Sequence, residues 1–139
     1  MAKKTPRQRV VKRLDTIVSI LVRERDETCV QCGSPENLTN GHVFSRRAYS
    51  TRWDISEDGN CHAQCWGCNY KHGMDNYDYF TWYNKKFGQD KFEQLRKRYK
   101  QIMKYKTYEL EELYEKLTQQ HKANNENQIN KLRKDSGQT

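Results

Sequence analysis

The chain has 139 residues, 34% of them hydrophobic and 32% charged, and a formal net charge of +8. That length supports one domain with a helical arm or tail, and so small an apolar fraction leaves a core that burial alone does not hold, which points to a structural metal. The charge and a pI near 9.3 favour a polyanionic partner, and the longest apolar run, Ile17 to Val22, is broken by Ser19, far short of the roughly 18 apolar residues of a membrane span.

Within the first 25 residues, Lys3, Lys4, Arg7, Arg9, Lys12, Arg13, Arg23 and Arg25 face only Asp15 and Glu24. From Pro6 onward, Val10, Leu14, Ile17, Val18 and Leu21 recur at three- and four-residue steps, so residues 1–27 read as a basic amphipathic lead-in helix with Pro6 in its first turn. Its cationic face is either a solvated surface or a phosphate-contacting one. Cys29-Val30-Gln31-Cys32 and Gly33 then form a zinc-knuckle pattern, in which Gly33 lets backbone amides turn toward sulfur. Leu38 to Ser45 is a candidate strand, Glu57-Asp58-Gly59-Asn60 a turn, and the segment between the cysteine pairs a small two-stranded hairpin or an irregular loop.

The second pair is Cys65-Trp66-Gly67-Cys68, after which Asn69 to Tyr77 reads as a short helix. Four thiolates at two CxxC spacings close a tetrahedral zinc site, and with all four positions filled by sulfur that metal has no place for water and is structural. A CxxC can also be a redox dithiol, but no strand-to-helix thioredoxin-like pattern surrounds either pair. Cys61 lies outside both pairs and reads as a small buried hydrophobe. The paired cysteines, together with a Met-Ala-Lys-Lys opening that lacks an apolar leader, predict a reducing, cytoplasmic setting without disulfides.

Tyr77, Phe80, Tyr83 and Phe87 recur at helical steps up to Gly88, and residues 28–88 therefore read as one zinc-stabilised core. Residues 89–121 read as two C-terminal helices: Asp90 caps a stripe of Phe92, Leu95, Tyr99 and Ile102, and Leu110, Leu113 and Leu117 share a face of the second. Residues 122–139, rich in Asn and then in Lys and Arg, read as a disordered basic tail.

Gly41-His42-Val43-Phe44-Ser45-Arg46, Thr51-Arg52-Trp53-Asp54 and Asn60-Cys61-His62-Ala63-Gln64-Cys65-Trp66-Gly67-Cys68-Asn69 jointly resemble the HNH (ββα-metal) nucleases. Within these the chain is most similar to the NinG/Rap group of phage recombination endonucleases, over about Leu14 to Leu95. The resemblance implies an α+β, mostly helical fold in which a zinc-stapled ββα-metal core is flanked by helices. It implies His42 as general base, Asn60 as the residue that braces the loop and orients it, and Asn69 as a ligand of a catalytic Mg²⁺ or Mn²⁺, with His72 a second ligand or a phosphate contact. Many HNH enzymes carry a ligating Asp where this chain has Gly41, so a substitute must come from His72, His62 or Asp54, or the ion keeps more water. Beside such a site, Arg46, Arg47, Arg52 and Lys71 read as phosphate contacts.

The function expected is metal-dependent hydrolysis of DNA, on branched or displaced-strand substrates in phage recombination, with two active sites supplied by a homodimer if both strands are cut together. Two rivals share the composition: a zinc-stabilised DNA-binding module without catalysis, and a protein-interaction module built on the C-terminal helices.

Overall fold

The computed structural model describes residues 2–137. Among them are six helices and one two-stranded antiparallel sheet, a mostly helical α+β arrangement. The described chain divides into two compact units. One holds the residues up to Ile17 and those from Lys106 onward, and the other spans Val18–Tyr105. Among the described residues, no helix is long and apolar enough to cross a membrane.

Helix α1, Pro6–Asp26, begins where Thr5 and Gln8 cap each other: the Gln8 amide donates to Thr5 Oγ1 and the Thr5 amide to Gln8 Oε1. Its apolar stripe is buried as the periodicity requires, at Val10, Leu14 and Ile17 in the first unit and at Val18, Leu21 and Val22 in the second. Also in the first unit, α6 runs Thr107–Asp135 and buries Leu110 and Leu117. This helix continues well past Lys122, where a disordered tail was expected. Residues 122–135 are exposed, so local propensity and not packing carries these turns; Lys, Glu, Gln, Leu and Arg outnumber the asparagines there. The last two positions of the expected tail lie outside the described residues.

The second unit is built on β1, Leu38–His42, and β2, Cys61–Cys65, paired so that Leu38 faces Cys65 and His42 faces Cys61. A single turn, α2 (Tyr49–Arg52), lies between the strands, and α3 (Trp66–Met74) starts directly after β2. Helices α4 (Tyr77–Phe87) and α5 (Gln89–Tyr99) follow, separated at Gly88, whose φ of 94° lies in the region glycine tolerates. The core of the unit is Val43, Phe44, Tyr79, Tyr83 and Leu95, with Phe80, Trp82, Phe87, Phe92 and Tyr99 packed around it. Phe44 is its hub, with its ring 5.2 Å from Phe80, 5.3 Å from Phe92 and 4.9 Å from Tyr99. Burying such a ring contributes about 1.5–3 kcal/mol, and each good aromatic pair about 0.5–1.5 kcal/mol more. The segment just after β1 is thereby anchored on α4 and α5.

The C-terminal end of α1 is fastened to the strands by charge. Arg25 donates to Ile55 O at 2.7 Å and to Cys61 O at 2.9 Å, while Asp26 Oδ2 accepts from the Ala63 amide at 2.8 Å. The two side chains also pair at 2.8 Å, and despite burial the Arg25 guanidinium and the Ala63 amide hold the Asp26 carboxyl below its ordinary value.

Candidate functional site

The four paired cysteines converge. Cys29, Cys32, Cys65 and Cys68 bring their sulfurs within 4.8 Å of one another, and Cys32 and Cys65 lie 3.7 Å apart. A zinc ion with four bonds of about 2.3 Å in tetrahedral array requires sulfur separations of about 3.8 Å, so the donor set and its spacing fit zinc. Gly33, at φ 78°, closes the turn of the first knuckle by donating to Cys29 O at 2.8 Å, and the Cys68 amide points at Cys65 Sγ at 3.4 Å where α3 begins. Burial opposes ionisation of Cys29, but the amides of Cys32, Cys65 and Gln31 outweigh it and bring the thiol down to about 7. Burial and the three neighbouring thiols push Cys68 up. Four thiolates crowded in this way need a divalent cation to balance them.

His42 closes β1 and is half-buried, lining a cleft of about 510 Å³ with Val43, Phe44, Ser45, His72 and Gly73 among its neighbours. Its Nε2 lies 2.9 Å from Arg52 O. A carbonyl only accepts, so Nε2 carries the hydrogen and the acceptor lone pair of the neutral ring is on Nδ1.

The backbone that carries His42 is held at every carbonyl from 41 to 44. Tyr79 Oη donates to Gly41 O at 2.8 Å. His72 Nε2 lies 2.9 Å from His42 O and 3.0 Å from Val43 O. Asn60 Nδ2 donates to Phe44 O at 2.9 Å, Asn60 Oδ1 accepts from the Phe44 amide at 2.8 Å, and Asn60 O accepts from the Val43 amide at 2.8 Å. Asn60 is fully buried and touches the segment, not the cleft surface. Tyr79 is also fully buried, which pushes its hydroxyl well above the ordinary value and keeps it a hydrogen-bond donor.

The remaining candidates distribute as follows. Asn69 lies on α3 and its Nδ2 donates to Thr39 Oγ1 at 2.9 Å, which orients the carboxamide. Both nitrogens of His72 are occupied or enclosed: Nε2 serves the two carbonyls, and Nδ1 is buried with no hydrogen-bond partner among the described residues. His62 faces Gly41 in the sheet register, so its side chain takes the face opposite that of His42. There it bonds Gly59 O at 2.7 Å and packs edge-on against Trp82 at 5.0 Å, and burial lowers its pKa to about 4. Asp54 accepts from Ser56 Oγ at 2.6 Å and pairs with Arg98 at 2.9 Å, closing its own turn. Neither is brought to the His42 cleft. Arg46, Arg47 and Lys71 are exposed, whereas the Arg52 guanidinium lies over Tyr49 and Trp53 and donates to Arg46 O at 3.1 Å. Cys61 is fully buried and directs Sγ to Arg52 O at 3.3 Å.

A family model described as Bacteriophage Lambda NinG protein matches residues 1–128. The chain belongs to the NinG family. No curated protein and no solved structure matches it. The NinG match takes in the cysteine cluster, the His42 segment and most of α6.

One residue of this NinG chain escaped the sequence reading. Gln64 is fully buried, and its carboxamide occupies the space a Cβ at position 41 would need. Its Nε2 donates to Gln31 Oε1, while its own Oε1 has no hydrogen-bond partner among the described residues. The glycine before His42 is therefore a packing requirement of this chain. Nothing in the sequence marked Gln64, because glutamine at a strand end ordinarily reads as surface. Among the described residues, no group of three or more His, Cys, Asp or Glu suited to a metal occurs besides the cysteine cluster.

Proposed function

We propose that this NinG-family protein is a metal-dependent DNA endonuclease of the HNH type, acting in phage recombination. The observation that carries the reading is the attachment of His42: its Nε2 bonds Arg52 O, and all four carbonyls from Gly41 to Phe44 are held by other parts of the unit. A structural histidine needs no such support, whereas a general base must present one lone pair at a fixed place. The order β1, β2, α3, with the cysteine cluster joining the two knuckles, supports a zinc-stapled ββα-metal core.

In this reading His42 Nδ1 takes a proton from a water molecule in the cleft as its oxygen bonds the phosphodiester phosphorus. The bond from phosphorus to the 3′ oxygen breaks, and that oxygen leaves and takes a proton from water. Asn60 is a positioning residue that keeps the His42 to Phe44 segment from relaxing. His72 acts the same way from α3, in preference to ligating a metal. Asn69 is the residue that would hold Mg²⁺ or Mn²⁺, an ion that supplies charge neutralisation at the phosphate. Arg46, Arg47 and Lys71 contact DNA phosphates, and Arg52 contributes mainly through its carbonyl. Zinc at the four cysteines is scaffold.

The test is conversion of supercoiled plasmid to nicked circles by purified protein with Mg²⁺ or Mn²⁺. Nicking that disappears in His42→Ala supports the proposal. DNA binding without nicking in the unsubstituted protein leaves the zinc-stabilised binding module in its place.

A further inference from the structure

Helix α3 carries an apolar ridge that the site described above does not use. Trp66 is 66% exposed and Tyr70 59% exposed. They are one helical turn apart, and their rings stack with centroids 5.5 Å apart and planes inclined by 14°. Met74, also exposed and one further turn along α3, extends the line. In a unit that buries Trp53 and packs Trp82 and its four phenylalanines on the core, a pair of parallel rings left in solvent marks a contact surface.

The position of the ridge says what it contacts. Gly73 lies one helical turn after Tyr70 and lines the His42 cleft. The ridge therefore runs along one rim of that cleft. Lys71, on the same helix, is exposed as well, on a chain of net charge +8. A base in a duplex has both faces covered by its neighbours, whereas an unpaired base has a free face that a flat aromatic ring can take.

We propose that Trp66 and Tyr70 form a stacking platform for unpaired bases of single-stranded DNA lying along the His42 cleft. The inference rests on the reading of DNA as the ligand and adds the surface that distinguishes unpaired from paired strands. The platform holds the strand without reading its sequence.

Binding of a fluorescein-labelled oligothymidine and of a blunt duplex of equal length tests this on the full zinc-loaded chain, without added magnesium so that no cleavage intervenes. Trp66→Ala and Tyr70→Ala are each expected to weaken single-strand binding about fivefold or more and duplex binding less than about twofold, with Trp66→Phe close to the unsubstituted protein. Both side chains are exposed, so zinc content and the melting transition should not change. Equal weakening of both DNAs, or none, overturns the platform. So does a shift from dimer to monomer in Trp66→Ala, which would assign the ridge to a second copy of the chain. Because no catalysis is measured, a protein that binds single strands through Trp66 yet nicks nothing keeps this inference and loses the nuclease reading.

Discussion

Asn60 and Phe44 exchange two hydrogen bonds, side-chain Oδ1 to backbone N at 2.8 Å and side-chain Nδ2 to backbone O at 2.9 Å. The pair is fully enclosed on the Asn60 side, so no water can replace either bond. Asn60→Ala is expected to cost about 1–3 kcal/mol for each backbone group left unpaired. Asn60→Asp keeps the acceptor but turns a carboxylate oxygen toward Phe44 O. It should lower nicking far more than DNA affinity, measured as turnover against binding on the same plasmid.

Gly41 and Gln64 form a second dependent pair, because the Gln64 carboxamide fills the Cβ position of residue 41. Gly41→Ala should destabilise by about 1–3 kcal/mol through overpacking. Gly41→Asp, whose side chain is larger, should behave worse still. Combining Gly41→Ala with Gln64→Ala should return most of the lost stability, and a double-mutant cycle in urea measures this coupling. Additive losses would mean that the two residues do not share the space.

Removal of zinc should unfold the strand region outright. Binding energies of structural zinc, about 10–16 kcal/mol, match or exceed the whole stability of a small domain. One zinc per chain is expected by native mass spectrometry, lost in Cys68→Ala and retained in Cys61→Ser, since Cys61 belongs to the core and not to the cluster. Retention of the cooperative melt after chelation would contradict a structural role for the metal.

His62 gives the fold an acid sensitivity of its own. Burial lowers its folded pKa to about 4, below an ordinary value of 6.5, so the folded protein prefers the neutral ring. This contribution to stability is fully present above pH 6.5. It falls away as pH drops from there through about 4, by about 3 kcal/mol in all, because the unfolded chain takes up the proton first. Loss of zinc also occurs in acid, so the comparison is with His62→Gln, whose unfolding free energy should fall less steeply over that interval.

The helices were largely legible because their apolar residues repeat at the helical period and end at strong signals. Tyr83 and Leu95 are buried as the spacing marked and Gly88 ends α4, but Tyr77 and Ile102, at the ends of the marked stripes, are exposed, and Tyr79, which the spacing did not mark, takes a core position. Strand β2 was not legible. Cys61 to Gln64 are buried on both faces, so the sequence shows no alternation, and the strand exists because Asp26, Arg25 and β1 bond its backbone. Helix α2 is a single turn, too short for any period. The cysteine cluster followed from spacing alone, because two CxxC pairs have few other uses. The support of His42 did not, since hydrogen bonds from Tyr79 and His72 to backbone carbonyls leave no pattern in side-chain types.

The central claim is that His42 activates water in a DNA-cutting site, and single-turnover nicking of supercoiled plasmid by the zinc-loaded protein and by His42→Ala tests it most directly. The expected result is Mg²⁺- or Mn²⁺-dependent nicking that falls at least about a hundredfold in His42→Ala, with zinc content, melting and DNA affinity unchanged. Equal nicking by both proteins, or none by either at any divalent concentration, would contradict it.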